Sequence, residues 1–321
     1  MKFLRPVLIL CAAFVASPPV HAQKDAWPSE PIKIVTPTPP GVGSDVFTRM
    51  YAEKLSKALM VPVVVENKPG ALGTLGTDAV AKAAPDGNTL LVSTANPFTM
   101  VPFLLSKLPY NPEKDFIPVT QLFRGGSFLV VNKDVPVKSL RDLVTLAKGA
   151  PGKVTFASYG LGTTSHLGFE LFQDAAGIDM VHVPYKQGAM VDVISGQVMI
   201  GWEPPSSALP HIRAGRVRAL AYSGDKRSPA LPEVPTLAEL YPGLDVFTRV
   251  GVWVPAKTPL AIVERLSTAF AAITRTPEML RSIDEAGNEP ISPSPAETAA
   301  IIKREAESMG KLIKAKNIKL D

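Results

Sequence analysis

Three stretches of this chain combine glycine, hydroxyl and amide groups in a way that could hold a negatively charged molecule. The first is "TPTPPGVGSDVFTRM", Thr36 to Met50. Gly41 and Gly43 lack side chains, so a ligand can come close to the backbone. Pro37, Pro39 and Pro40 fix φ and stiffen the approach. A helical pattern starts at Ser44. The first-turn N–H groups of such a helix have no intrahelical acceptor, and its dipole adds partial positive charge there. The stretch reads as a preformed anion cradle; a plain strand-to-helix connection built from Gly and Pro accounts for it equally well.

The second stretch, "ASYGLGTTSHLGFEL" (Ala157–Leu171), repeats the layout. A strand-like run leads to Gly160 and Gly162, then Thr163, Thr164 and Ser165 stand at a helix start. Those hydroxyls suit either helix capping or an oxyanion. The third, "STANPFT" (Ser93–Thr99), follows another strand and offers hydroxyl and amide groups. Together the three loops point to one small anion held mainly by neutral donors.

Other chemistries fit poorly. Ser165 and His166 are neighbours in sequence, so on a helix their side chains point about 100° apart and do not form a nucleophile–base pair. Neither G-x-S-x-G nor H-E-x-x-H occurs. His166, His182 and His211 are well separated and lack an acidic cluster, which argues against a metal. "GALGTLGTD" has glycines at 70, 73 and 76 but no Lys-Ser or Lys-Thr of a phosphate loop, and reads as a turn into a helix. No catalytic residue is assigned, and no cofactor or metal.

The 321 residues suffice for two domains. Hydrophobic content of 46% and charged content of 20% support buried cores. Lys and Arg alternate with Asp and Glu, with no basic block, so no nucleic-acid footprint is expected. Residues 1–22 read as a secretory signal peptide: Lys2 and Arg5, then an apolar run from Val7 to Val15, then Val20-His21-Ala22 with cleavage after Ala22. Removing it lowers the formal charge from +5 to +3 and takes away Cys11, the single cysteine. A thiol-free exported protein suggests the periplasm.

The elements that must position the three loops alternate. "PIKIV", "VPVVVEN" and "NTLLVST" read as strands, with a helix from Ser44 whose Val46, Phe47, Met50, Leu55 and Leu59 share one face. Asp45, Arg49, Lys54 and Lys57 fall largely opposite, and Ser44 or Asp45 is placed to cap. The alternation restarts at "SFLVVNKDV" and runs through "VRALAYSG"; "VGVWVPAK" is one more strand, and the C-terminal third is helical. Alternation of this kind predicts parallel pairing. We read two α/β lobes, 23–124 plus 248–321 and an inserted 125–247, joined by crossings near 124 and 247. Ligands of open α/β sheets bind beyond the carboxyl ends of strands.

Motifs along the chain add a resemblance. "WPSEPIKIVTPTPPGVGSD", "VVENKPGALGTLGTDAVAKAAPDGNTLL", "YNPEKDFIPVT", "ASYGLGTTSHLGFELF", "VHVPYK", "ALPHIRAGRVRALAYSGDKRSPALPEVPTLAE" and "VPAKTPLAIVERL" stand in this order. The chain resembles the periplasmic substrate-binding receptors of tripartite tricarboxylate transporters, the Bug-type receptors, over essentially its whole mature length. The resemblance implies a two-lobed periplasmic binding protein (flytrap) fold, each lobe a mixed sheet flanked by helices, with a ligand cleft between the lobes. It implies a small organic acid or amino-acid-like carboxylate as ligand, no cofactor, a monomer, and membrane transporter subunits as partners; a membrane sensor is the alternative partner. Carried over by residue, the site comprises Thr38, Gly41, Gly43, Ser44 and Asp45, then Ser93 and Asn96. From the second lobe it takes Ser158, Gly162, Thr163, Thr164 and His166, with Tyr185 and Glu203 on later strand ends. Three departures stand out. Thr38 replaces an aromatic, Val42 a frequent glycine, and Glu203 an Asp. Glu203 either meets the ligand or serves as a rim or hinge contact.

Overall fold

A computed structural model describes residues 27–41, 43–185 and 188–320. The expected signal peptide, Cys11 and Val42 lie outside the described residues. β1 (Ile32–Thr36) leads to α1 (Gly43–Leu59), β2 (Val63–Asn67), α2 (Thr74–Ala81) and β3 (Thr89–Thr94). Two four-residue helices, α3 (Asn96–Thr99) and α4 (Val101–Leu104), precede the long β4 (Phe116–Gly125). Next come β5 (Phe128–Asn132), α5 (Leu140–Gly149), β6 (Thr155–Ser158), α6 (Thr164–Ala176) and β7 (Val181–Pro184). α7 (Met190–Ser195), β8 (Ile200–Glu203), α8 (Pro205–Arg213), β9 (Val217–Tyr222) and α9 (Leu237–Leu240) follow. The chain ends with β10 (Thr248–Pro255), α10 (Leu260–Thr274), α11 (Pro277–Glu285), β11 (Glu289–Pro290) and α12 (Pro295–Ala315).

The strands form two sheets, ordered β11-β4-β10-β3-β1-β2 and β7-β6-β8-β5-β9. β1 pairs in parallel with β2 and β3, as the alternation predicts, and β6 does so with β7 and β8. β10 runs antiparallel to β3 and β4, and β5 antiparallel to β8 and β9, so both sheets are mixed. β4, which carries the chain out of the first sheet, is ten residues long and was not expected as a strand; Pro118 interrupts its pattern. The β4–β10 register shifts between Val250 and Gly251 and again between Val252 and Trp253, and Pro118 is accommodated beside the second shift.

Alternation along the strands sends side chains to the two faces of each sheet. Ile32 and Ile34 pack with α1 and α10, while Val35 and Leu91 pack with Phe98 and Trp253 on the other face. α1 buries Phe47, Tyr51, Leu55 and Leu59, one residue per turn. Two expectations for α1 need correction: Val46 is exposed, and Asp45 is buried. α5 begins with a capping box between Ser139 and Asp142, and α6 stops at Gly177 in the left-handed region, φ 61°. The C-terminal helices pack back on the first sheet as expected, although β11, missed in the sequence, adds a two-residue edge to β4.

Contacts between the two halves include those at the crossings and along α6. At the crossings, the guanidiniums of Arg124 and Arg249 lie 4.3 and 5.0 Å from the Phe247 ring centre. Elsewhere, Leu167 of α6 joins Met100, Leu104, Met309, Leu312 and Ile313 in one apolar cluster. That cluster fastens the second sheet's helix to α4 and α12.

Candidate functional site

The first loop is held by its own side chains. The Gly41 N–H donates to Asp45 Oδ2 at 2.8 Å, Arg49 Nε donates to the same oxygen at 3.0 Å, and Asn67 Nδ2 donates to Asp45 Oδ1 at 2.6 Å. Burial raises the Asp45 carboxyl, but the donors from Gly41, Asn67 and Arg49 outweigh it and hold the group below the ordinary Asp value. Asp45 therefore braces the loop from within. Asn67 also donates to the Thr38 carbonyl at 2.9 Å, and the Thr38 and Ser44 hydroxyls share a hydrogen bond of 2.9 Å. Gly41 has φ of 79°, a conformation that disfavours any side chain. Gly41 and Gly43 are exposed, with open space where a Cβ would stand.

The second loop is wired around two histidines. His166 Nδ1 accepts from the Gly162 N–H at 3.1 Å, which places its proton on Nε2, 3.8 Å from Glu170. Its ring stacks on His182, centroids 4.0 Å apart, and His182 Nε2 and Ser158 Oγ share a bond of 2.6 Å. Burial pushes both imidazoles down to about 4, so both are neutral near pH 7. The Thr163 hydroxyl donates to the Gly160 carbonyl at 2.7 Å and accepts from the His166 N–H. It is the α6 cap, one of the two roles its position allowed. Ser165 Oγ accepts from the Tyr159 N–H at 3.0 Å.

The loops meet. Thr164 Oγ1 donates to Asn96 Oδ1 at 3.3 Å, joining the second loop to the third across the two sheets. Asn96 opens the short α3 where a polar loop was expected. Gly162, at φ 75°, lies against Leu104: an added Cβ would sit 2.5 Å from its Cδ1. The glycines of "GALGTLG" connect the first and third loops. A Cβ added at Gly73 would stand 3.3 Å from Pro97 and 3.4 Å from Pro37, and one added at Gly76 would stand 3.0 Å from Pro37. This is close backbone approach, with no phosphate loop required.

The remaining sequence-derived residues take up varied positions. Ser93 is buried, and its hydroxyl has no partner among the described residues; the same holds for Thr36. The Tyr185 hydroxyl donates to Asp192 at 2.8 Å. Glu203 is buried, and its Oε2 accepts from Tyr159 at 2.8 Å and from Ser207 at 2.9 Å. Burial raises the Glu203 carboxyl despite these donors. The sequence reading did not single out Asn67, Tyr159 or Gln121. Asn67 sits inside a quoted motif, "VVENKPG", where its amide could have suggested bracing. Gln121 faces Gly251 in register, as Ser93 does on the other side, and its buried amide is also without partner among the described residues.

The family described as "Tripartite tricarboxylate transporter family receptor" matches residues 47–318. Protein BugT of Bordetella pertussis is 34% identical over 320 residues, covering 98% of both chains. Among solved structures, Rpa4515 of R. palustris with adipate superposes with a TM-score of 0.80 at 31% identity, over 92% of this chain and all of that one. MatC from Rhodopseudomonas palustris with bound malate gives 0.76 at 28% identity, over 89% of this chain and all of that one. The fold is the two-lobed periplasmic binding protein fold, and the chain belongs to the tripartite tricarboxylate transporter receptor family.

Proposed function

We propose that this protein captures a small carboxylate-bearing metabolite between its lobes, without turnover, and hands it to a tripartite tricarboxylate-type membrane transporter. The observation that carries the reading is the meeting of three uncharged polar loops from both sheets, with Thr164 bonded to Asn96. The carboxylate engages the α1 start first. Since the Gly41 N–H already serves Asp45, the contacts there are the first-turn N–H groups from Gly43 and Ser44 and the Thr38 and Ser44 hydroxyls. Asn96, Ser93 and Thr164 complete the grip, while Thr163, whose hydroxyl is committed to the α6 cap, holds that turn in place. Asp45, Ser158, Gly162, His166, Tyr185 and Glu203 act by holding these groups in place.

Residues 23–124 with 248–321 form one moving unit and 125–247 the other, closing by rotation at the two crossings. Closure removes water, so each neutral donor counts for more. The ligand stabilises the closed state by its differential affinity for it. The mature chain starts after Ala22 and works in the periplasm as a monomer. That solved relatives hold adipate and malate supports a dicarboxylate. A thermal-shift screen of mono-, di- and tricarboxylates tests this. A true ligand at ~100 times its Kd adds about 2.7 kcal/mol. No shift with any acid, or product formation from one, overturns the reading.

A further inference from the structure

Tyr159 is held from the ends of three strands of the second sheet. It directly follows Ser158, the last residue of β6, and stands inside the second loop. β6 runs parallel to both β7 and β8. Their carboxyl ends therefore share one edge of the sheet, the edge beyond which open α/β sheets bind their ligands. The Tyr159 N–H donates to Ser165 Oγ, in the first turn of α6, at 3.0 Å. Its hydroxyl donates to Oε2 of Glu203, the last residue of β8, at 2.8 Å. Gly188, in the loop after β7, comes close to the ring: a Cβ there would stand 3.0 Å from the hydroxyl and 3.4 Å from Cε1.

These anchors fix an aromatic ring without covering it. Glu203 is 1% exposed, whereas Tyr159 is 36% exposed. Burial and the neighbouring Glu203 carboxyl raise the Tyr159 hydroxyl above the ordinary tyrosine value, so it keeps its proton and donates it to Glu203. That proton is not free for a ligand. With its N–H and hydroxyl engaged, the surface that Tyr159 presents is chiefly ring. A ring held at both ends offers apolar contact with little ordering left to do on binding.

We propose that Tyr159 is a specificity-determining residue of the carboxylate site, its ring carrying the hydrocarbon chain of the acid. The inference rests on the receptor reading above and narrows its ligand class to acids with an unsubstituted chain. A hydroxyl laid against the ring loses water and gains no donor from Tyr159, which costs binding energy. Glu203 is a positioning residue that acts through Tyr159.

The probes are three pairs of acids that differ by hydroxyl groups alone: propionate and lactate, succinate and malate, adipate and galactarate. In calorimetric titration the folded mature chain is expected to bind the unsubstituted member of a pair at least about 10-fold more tightly. Tyr159→Ala is expected to lose at least about 10-fold for that member and to bind both members alike. Tyr159→Phe restores the ring without the hydroxyl and is expected to restore the preference. Should Tyr159→Ala misfold, the parent carries the test by nuclear magnetic resonance. With only tyrosine rings labelled, the methylene protons of the bound acid are expected to show an Overhauser effect to a ring, lost in Tyr159→Phe. A preference for the hydroxylated members, a preference unchanged in Tyr159→Ala, or a missing Overhauser effect overturns this inference alone. No binding of any acid in these pairs or in the thermal-shift screen overturns the receptor reading, and this inference with it.

Discussion

Gly41 combines two constraints that sequence alone could only suggest. Its φ of 79° excludes a side chain on conformational grounds even though the space beside it is open. Gly41→Val is therefore expected to cost about 1–2 kcal/mol of stability, as a left-handed L-residue does, and to weaken carboxylate binding at least 10-fold. Chemical denaturation and calorimetric titration check the two parts separately. Asp45 makes a different prediction. Its folded carboxyl lies below the ordinary value, so it contributes stability that is fully present above the unfolded value near 4 and lost as pH falls through the folded one. Asp45→Asn should flatten the acid limb of the stability profile below about pH 4. The histidines act at higher pH. His166 and His182 fall to about 4 in the fold, so the unfolded chain binds more protons between there and about 6.5. Stability should drop as pH is lowered through that window, and His182→Gln should remove part of the drop. A melting series from pH 7 to 4 reads it; an unchanged slope would show that the imidazole is not held neutral by burial.

At the scale of elements, α6 does two jobs with one periodic pattern. Its start carries the Thr163 cap and the Thr164 contact, and its Leu167 enters the cluster with α4 and α12. Leu167 is fully buried, so Leu167→Ala should cost about 2–4 kcal/mol in urea unfolding. Much of this was legible. The strands from Ile32 to Thr94, α1, α5 and α6 follow from periodicity, caps and glycine stops, because local backbone preference and burial agree there. β4 was not legible, since Pro118 and the two register shifts are tolerated only in the context of β10. The mixed sheet direction came only with the family resemblance and not from periodicity, because β10 and β5 are antiparallel through where the crossings bring them, a matter of topology. The loops were visible as polar strand ends. Which of their groups are already engaged was not, because Asp45, His166 and Glu203 find their partners through three-dimensional packing.

At the scale of the molecule, the crossings hold a group that belongs to both lobes. Arg124 pairs with Glu289 at 2.6 Å, beside the first sheet, and with Asp225 at 3.1 Å, beside the second, while lying over Phe247. The proposed rotation about the crossings would move Asp225 relative to Glu289, which would make the Arg124–Asp225 pair a reporter of lobe orientation. Asp225 is exposed, and such pairs contribute at most about 1 kcal/mol. Asp225→Asn should therefore leave the melting temperature nearly unchanged. It should still shift the balance between lobe orientations, because the conformation with Thr164 on Asn96 also holds this pair. A shift of up to about 1 kcal/mol corresponds to as much as a 5-fold loss of affinity for a ligand that needs the closed arrangement. Calorimetric titration beside small-angle scattering distinguishes the outcomes: weaker binding with a larger unliganded radius supports the hinge role, and unaltered affinity with an unaltered radius assigns Arg124 to local packing alone.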